Sequence, residues 1–266
     1  MRYTGVEMID RSKPVALGDV QDFRPCEIPL PDLETPAPGE VHLWFLDLGG
    51  LASSLRDALG SGEEKQSPIT TGQLRFSRRF YLRLLLGAYL GLPGKSVRIN
   101  RQNRGKPELD ATIHDQELHF SMAKSEDKLL IGFSTSSHIG VDLEPAQRRA
   151  RDAMGVAQRY FTPAEAESLA STAPADRDAA FLRVWACKEA VVKASGQGIA
   201  NQFCRFTVDS DISNPAAVLH FDDADASDWS LALMKPDKDF LGAVAVQDSV
   251  TTIRAFRLLP ALRPSG

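Results

Sequence analysis

The 266-residue sequence predicts an α+β fold, because strand-like and helix-like patterns occupy successive parts of the chain. A first core strand is predicted at Val41–Asp47 and a helix at Leu74–Leu90, before further strands that run to about Glu144. Two helices, Pro163–Ser171 and Asp176–Ala194, come next. The last part of the chain is predicted to form strands near Phe203–Val208, Val218–Phe221, Trp229–Leu233, Gly242–Val246 and Thr252–Leu258.

The first 40 residues have a different composition from the rest of the chain. Six of the sixteen prolines fall in this stretch, which ends in the sequence PLPDLETPAP. Proline lacks a backbone N–H and interrupts regular structure. We therefore predict an irregular extension over residues 1–40, before the first core strand.

Two short apolar runs near the middle of the chain are predicted to pair. Leu129–Ser134 and Ile139–Glu144 are separated by four residues of the type found in turns, which indicates a hairpin. Because side chains alternate along a strand, Asp142 and Glu144 project together from the face opposite Val141. Carboxylate oxygens suit a hard cation such as Mg²⁺. Taken alone, this pattern favours the simpler interpretation, a half-exposed strand with solvated acids.

The helix at Asp176–Ala194 carries a third carboxylate between two lysines. Residues four apart share a helix face, so Trp185, Glu189 and Lys193 form one stripe, with Lys188 beside it. An ordinary surface pair of Glu and Lys is the simpler alternative, but the large Trp on the same stripe argues against full solvation. Three carboxylates and two ammonium groups are the groups needed to hold a divalent cation on a pyrophosphate.

The segment before this helix has a purely structural explanation. In the sequence FTPAE, Thr162 is predicted as the N-cap, Pro163 as the first helical residue and Glu165 as the residue that completes a capping box. This role accounts for Glu165, so no chemistry is assigned to it.

Several motifs occur in an order and spacing that resemble those of the 4'-phosphopantetheinyl transferase superfamily, of the surfactin-synthetase-activating (Sfp) type. They are GVDLE at 140–144, FTPAE at 161–165 and WACKEAVVK at 185–193, with RGKP at 104–107 upstream and GQGI at 196–199 downstream. The resemblance covers roughly residues 41–246. It implies two pseudo-symmetric α/β lobes with the active site in the cleft between them, and we place the lobes at residues 41–145 and 146–266.

The resemblance also implies a reaction. It is the transfer of the 4'-phosphopantetheine group from coenzyme A to a serine of an apo-carrier protein, acyl or peptidyl, with release of adenosine 3',5'-bisphosphate. Matched to this sequence, Asp142, Glu144 and Glu189 would hold Mg²⁺, and Glu189 would also help to deprotonate the serine. Lys188 and Lys193 would contact the pyrophosphate, so Glu189 and Lys193 are the predicted catalytic residues.

The remaining predicted coenzyme A contacts are basic residues outside these motifs. Arg79 lies where the family has a coenzyme A-binding arginine. Arg75, Arg79 and Arg83 share one helix face, opposite Phe80, Leu84 and Tyr81. Lys106 lies in the GKP turn, which the family places at the adenine and 3'-phosphate. Lys124 stands where the family usually has a histidine, in FSMAKS at 120–125, and its positive charge suits a phosphate.

The bulk properties agree with these predictions. A net charge of −4 argues against nucleic acid as a partner, and no apolar run approaches a membrane span. Three cysteines without metal-ligand spacing are typical of a reducing cytoplasm, and we expect a cytoplasmic monomer. The altered histidine segment leaves one alternative open, a non-catalytic paralogue that binds coenzyme A or a carrier protein.

Overall fold

The computed structural model describes residues 20–58, 69–101, 106–115, 117–196, 202–209, 211–222 and 224–260. Its helices are α1 (Leu48–Ala58), α2 (Thr71–Leu90), α3 (Ala153–Tyr160), α4 (Pro163–Ser171) and α5 (Arg177–Ser195). The strands of the first half are β1 (Arg24–Glu27), β2 (Glu40–Asp47), β3 (Ile99–Arg101), β4 (Pro107–Leu109), β5 (His119–Ser125), β6 (Lys128–Ser134) and β7 (Ile139–Pro145). Those of the second half are β8 (Phe206–Val208), β9 (Val218–Phe221), β10 (Ser230–Asp237), β11 (Phe240–Val246) and β12 (Thr252–Leu259).

These elements form two main sheets, which confirms the predicted α+β class. One sheet has five strands in the order β1-β12-β2-β6-β5, and the other has three in the order β10-β11-β7. Two small two-stranded sheets, β3-β4 and β8-β9, accompany them. Within the described ranges, no helix is long and apolar enough to cross a membrane.

Each main sheet contains strands from both halves of the chain. Strand β12 runs parallel to β2 in the five-stranded sheet, with Phe256 opposite Trp44, and the two rings stack. Strand β7, from the first half, pairs instead with β11, where Asp142 lies opposite Ala243. The division into lobes at 41–145 and 146–266 stays a prediction. Strands β12 and β7 each pair with a strand from the other side of residue 145.

The predicted hairpin between the two central runs is wrong. Both runs form strands, but β6 pairs with β2 and β5, and β7 pairs with β11. Both edges of β6 are already hydrogen-bonded, so the residues after Ser134 lead the chain into the other sheet. The alternation along β7 is as predicted: Val141 and Leu143 are buried in an apolar cluster, while Asp142 and Glu144 lie on the opposite face.

The proline-rich extension is also less irregular than predicted. Residues 24–27 form β1, which lies parallel to β12 with Arg24 opposite Phe256. Because β12 is distant in sequence, no local pattern near residues 24–27 indicates that they pair with it, and the proline content alone predicted irregular structure. Residues 1–19 lie outside the described part of the chain.

Helix α2 covers the five-stranded sheet with one apolar face. Leu82, Leu85 and Leu86 are buried against strand residues such as Trp44 and Phe133. The prediction that Phe80 lies opposite the arginines is wrong, because its side chain is 50% exposed and lies next to Arg79. The helix begins at a capping box on Thr70 and ends at Gly91, which has a positive φ of 63°.

Helices α4 and α5 match the sequence-based prediction closely. Thr162 caps α4 and Glu165 completes the capping box, as predicted. Helix α5 ends at Gly196, whose φ of 67° is in the left-handed region that favours glycine. Nearly all of α5 between Ala180 and Ala194 is buried, because it packs between β7 and the apolar cluster of the second half.

Candidate active site

The candidate site lies where strand β7 meets helix α5, and Gly140 makes their close approach possible. A Cβ atom at position 140 would lie 2.0 Å from the carbonyl oxygen of Ala190 and 2.4 Å from the amide nitrogen of Ala194. Real Cβ atoms do not approach backbone so closely, so only glycine fits here. The contact brings the Asp142 and Glu144 face of the strand against the Glu189 and Lys193 face of the helix.

Asp142 and Lys193 form an ion pair across this contact. The Nζ atom of Lys193 donates to Oδ1 of Asp142 at 2.6 Å. The Asp142 side chain is 8% exposed and that of Lys193 is 31% exposed. The second oxygen of Asp142, Oδ2, is buried and has no hydrogen-bond partner within the described residues. Asp142 therefore retains an unused acceptor inside the site.

Glu144 is held by a different cation. Arg148, four residues later, donates from Nη1 to Oε1 of Glu144, and its guanidinium lies 5.8 Å from the centre of the Trp185 ring. Burial raises the pKa of Glu144, hydrogen bonds from Arg148 and Trp185 act against that rise, and the charge of Asp142 adds to it. The second predicted carboxylate is therefore also paired.

Glu189 completes the predicted set of carboxylates. Its side chain is buried, and in the described part of the chain it forms no hydrogen bond or ion pair with another side chain. Burial, followed by repulsion from Asp142, raises the pKa of Glu189 to about 7, while Lys193 opposes the rise. The structure thus places an excess of negative charge around Glu189.

The donor set fits a magnesium ion chemically. All three side chains offer oxygen, the unpaired Oδ2 of Asp142 lacks a partner, and a divalent cation would relieve the repulsion on Glu189. In their present positions, no three carboxylate, imidazole or thiol groups of the described residues converge closely enough to hold a metal. Lys193 and Arg148 hold two of the carboxylates instead, so metal binding requires these pairs to rearrange.

Lys188 does not fit its predicted role as a phosphate contact. Its ammonium group is fully buried and lies 2.8 Å from Oε2 of Glu165 and 2.6 Å from the carbonyl oxygens of Phe203 and Phe206. The ring of Phe206 lies 4.3 Å away on another side. Since an ammonium group has three N–H donors, these partners use all of them. Lys188 faces away from Lys193 and joins α5 to the segment at 203–206.

Glu165 has a second role that the sequence did not predict. Besides the capping box, its carboxylate accepts from the amide of Val208 at 2.8 Å and pairs with Lys188. The buried charge of Lys188 requires a buried counter-charge. The spacing between FTPAE and the helix motif gave no sign of this contact.

Lys106 lies beside the start of β7. Its Nζ atom donates to the carbonyl oxygen of Ile139 at 3.0 Å, and burial lowers the pKa of Lys106. Burial, followed by the charge of Lys106, lowers the pKa of His119 at the start of β5, and His138 contributes to the same shift. Lys106 thus bonds to the residue directly before Gly140, the glycine that contacts α5.

Lys124 lies at the other end of β5, exposed and opposite Leu129. Five residues of strand, about 17 Å, separate it from His119, the residue of β5 whose pKa responds to the charge of Lys106. Ser121, between these ends, accepts a hydrogen bond at 3.2 Å from the amide of Val141 and ties β5 to β7.

Arg79 lies on the outer face of α2, beside a groove of about 780 Å³. The groove is lined by Arg75, Phe76, Arg79, Phe80 and Lys95 among others, and the Phe76 side chain is 71% exposed. The neighbouring Arg78 donates to the carbonyl oxygen of Glu126 in the β5–β6 turn. The first half of α2, which contains Arg78 and Arg79, therefore lies near the end of β5 that carries Lys124.

Arg148 contacts a predicted metal ligand, a role that the sequence did not indicate. Its position four residues after Glu144 was visible, but the turn after Pro145 that brings its side chain back onto Glu144 was not. The amide of Arg148 donates to the carbonyl oxygen of Pro145 at 2.9 Å, which fixes this turn.

Known proteins match this chain over both the site and most of its length. Residues 138–245, which include β7 and α5, match the model of the 4'-phosphopantetheinyl transferase superfamily. The 4'-phosphopantetheinyl transferase HetI of Nostoc sp. is 31% identical over 82% of this chain and 92% of its own length. A 4'-phosphopantetheinyl transferase of Bacillus subtilis is 26% identical over 56% of this chain and 71% of its own length. With the motifs at β7 and α5 in place, this chain belongs to the 4'-phosphopantetheinyl transferase superfamily.

Proposed function

We propose that this protein transfers the 4'-phosphopantetheine group of coenzyme A to a serine of an apo-carrier protein, acyl or peptidyl, with Mg²⁺ as the cofactor. The observation that carries the proposal is the contact of β7 with α5, which assembles Asp142, Glu144, Glu189 and Lys193 in one place. The superfamily to which the chain belongs supports the reaction type.

The reaction balances as a phosphoryl-type transfer. The serine oxygen forms a bond to the β-phosphorus of coenzyme A, and the bond from that phosphorus to the bridging oxygen breaks. Adenosine 3',5'-bisphosphate leaves with the electron pair. The serine proton passes to a base, and Glu189 would take this role as the carboxylate of α5 that forms no side-chain hydrogen bond or ion pair in the described part of the chain.

The positive groups of the site would offset the charge that develops during the transfer. Mg²⁺ held by Asp142, Glu144 and Glu189 would neutralise charge on the pyrophosphate oxygens. Lys193 is partly exposed beside Asp142, so its ammonium group can turn from that carboxylate to a phosphate oxygen. Lys188 is excluded from this role by its burial.

Three further cations would hold the rest of coenzyme A. Lys124 and Arg79 lie toward one end of β5 and would bind phosphate there, while Lys106 lies at the other end and would contact the adenine portion. A lysine binds phosphate as a point charge that persists throughout the neutral pH range.

The test is mass spectrometry of an apo-carrier protein incubated with the protein, coenzyme A and Mg²⁺. We expect the carrier serine to gain one phosphopantetheine group, and chelation by EDTA should stop the gain. Asp142→Asn should lower kcat on the order of a hundredfold, because removal of one strong electrostatic contact costs about that much. Glu167→Gln, an exposed change on α4, is the control and should leave kcat unchanged.

Two outcomes would contradict the proposal. Full activity of folded Asp142→Asn would exclude the proposed carboxylate site. Tight binding of coenzyme A or carrier without any transfer to several carriers would instead favour a non-catalytic binding paralogue.

A further inference from the structure

Arg148 forms an ion pair with Glu144, one of the proposed metal ligands. Its guanidinium pairs with Oε1 of Glu144 across four residues of sequence and packs over the ring of Trp185. The turn at Pro145 and the aromatic surface together hold the guanidinium at this place. The pair is thus a defined arrangement of this chain rather than a chance contact of a long side chain.

The two partners differ in what they lose when the pair opens. The Arg148 side chain is 47% exposed, whereas that of Glu144 is 13% exposed. Arg148 can turn into water with little loss of solvation, but Glu144, which is largely buried, would lose its counter-charge and retain the hydrogen bond from Trp185. Opening therefore requires another cation to take the place of Arg148 at Glu144.

We propose that Arg148 substitutes for the divalent cation at Glu144 in the metal-free protein and is displaced when the cation binds. This inference rests on the metal site of the proposed function. Arg148 is then a positioning residue: it keeps Glu144 oriented toward the site, and it lowers the affinity for metal by the free energy of the pair that must be broken.

The same geometry explains why the three carboxylates do not converge on a common point. Lys193 holds Oδ1 of Asp142 and Arg148 holds Oε1 of Glu144, so each cation draws one carboxylate toward itself. Release of Glu144 by Arg148 frees a carboxylate beside Glu189, whose charge is otherwise unbalanced. Binding of the metal and release of Arg148 from Glu144 thus occur together.

The neighbouring Arg149 provides a matched comparison. Its side chain is 83% exposed, and its Nε lies 3.7 Å from Asp178, outside the set of carboxylates. Removal of Arg149 takes away the same charge one residue along the chain without removing a contact to Glu144. A difference between the two variants therefore reports the contact and not the net charge.

The test measures binding of Mn²⁺ alone and of Mg²⁺ alone to the purified protein, by electron paramagnetic resonance and by calorimetry. We expect Arg148→Ala to bind either metal about three- to fivefold more tightly than the wild type, the range that a partly exposed ion pair accounts for. Arg149→Ala should bind both metals as the wild type does. In addition, the Nε–H nuclear magnetic resonance signal of Arg148, assigned by its loss in Arg148→Ala, should shift when Mg²⁺ saturates the site.

The outcomes separate this inference from the proposed function. Metal binding by the wild type with equal or weaker binding by Arg148→Ala would overturn the inference alone, and weaker binding would mean that Arg148 prepares Glu144 for the metal. An Arg148 signal that does not respond to saturating Mg²⁺ would overturn it as well. A wild type that binds neither metal would overturn both the inference and the proposed metal site.

Discussion

Lys193 and Asp142 connect helix α5 to strand β7 through an ion pair with 2.6 Å between Nζ and Oδ1. Lys188, only five residues earlier on the same helix, points to the opposite side and pairs with Glu165. Two lysines that belong to one motif therefore have different surroundings, one partly exposed in the site and one fully buried. This difference leads to separate expectations for the two residues.

Lys188→Met should destabilise the protein on the order of 3 kcal/mol, because it leaves Glu165 as a buried charge without its counter-ion. Lys193→Met should destabilise the protein less than Lys188→Met does, because Lys193 is partly exposed whereas Lys188 is fully buried, and it should lower kcat strongly. Urea denaturation and carrier modification measure the two effects. A Lys188→Met variant with wild-type stability and greatly reduced kcat would show that Lys188 acts in the chemistry instead.

Gly140→Ala should destabilise the protein by about 3 kcal/mol or separate β7 from α5, because the new Cβ would overlap the backbone of Ala190 and Ala194. Activity should fall as well, since the same contact brings the carboxylates together. Gly72→Ala on α2 is the control, because its nearest neighbouring atom lies 3.9 Å away. Unfolding free energies compare the two, and equal stability of both variants would contradict the close-contact argument.

Glu189 should make the metal-free protein less stable as the pH rises. Its pKa is raised from 4.5 to about 7, so the stabilising protonated form is present below about pH 4.5 and is lost as the pH rises through about 7. Glu189→Gln removes this dependence. Between pH 5 and pH 8 in EDTA, the wild type should therefore lose about 2 kcal/mol more unfolding free energy than the variant. Parallel pH profiles for the two proteins would contradict the raised pKa.

Lys124 and Lys106 should act on different parts of coenzyme A, since they lie at opposite ends of β5. Lys124→Ala should raise KM for coenzyme A, and the increase should disappear with 3'-dephospho-coenzyme A as the donor. Lys106→Ala should raise KM for both donors alike. Steady-state kinetics with the two donors measures this, and a change in KM for 3'-dephospho-coenzyme A equal to that for coenzyme A is the result that Lys106→Ala alone should give.

An equal effect of Lys124→Ala on both donors would move its contact to the pyrophosphate. No effect on either donor would remove Lys124 from the site and strengthen the reading of the chain as a binding paralogue.

Much of the fold could be predicted from local patterns. Helix α4 lies at Pro163–Ser171 as predicted, because Thr162, Pro163 and Glu165 form a capping signal within four residues. The end of α5 at Gly196 and the alternation along β7 are likewise short-range properties of the chain. In contrast, β1 and the pairing of β6 with β2 could not be predicted, since their partners are distant in sequence.

The sequence by itself determined which residues carry charge and which of them share a helix or strand face: Asp142 with Glu144, and Glu189 with Lys193. Their motifs also indicated the family to which the chain belongs. The tertiary structure alone decided which face each side chain meets. In the folded chain, Lys188 is buried against Glu165, Arg148 pairs with Glu144 and Gly140 packs against α5. Periodicity defines neighbours along an element, whereas burial and pKa depend on what packs across from it.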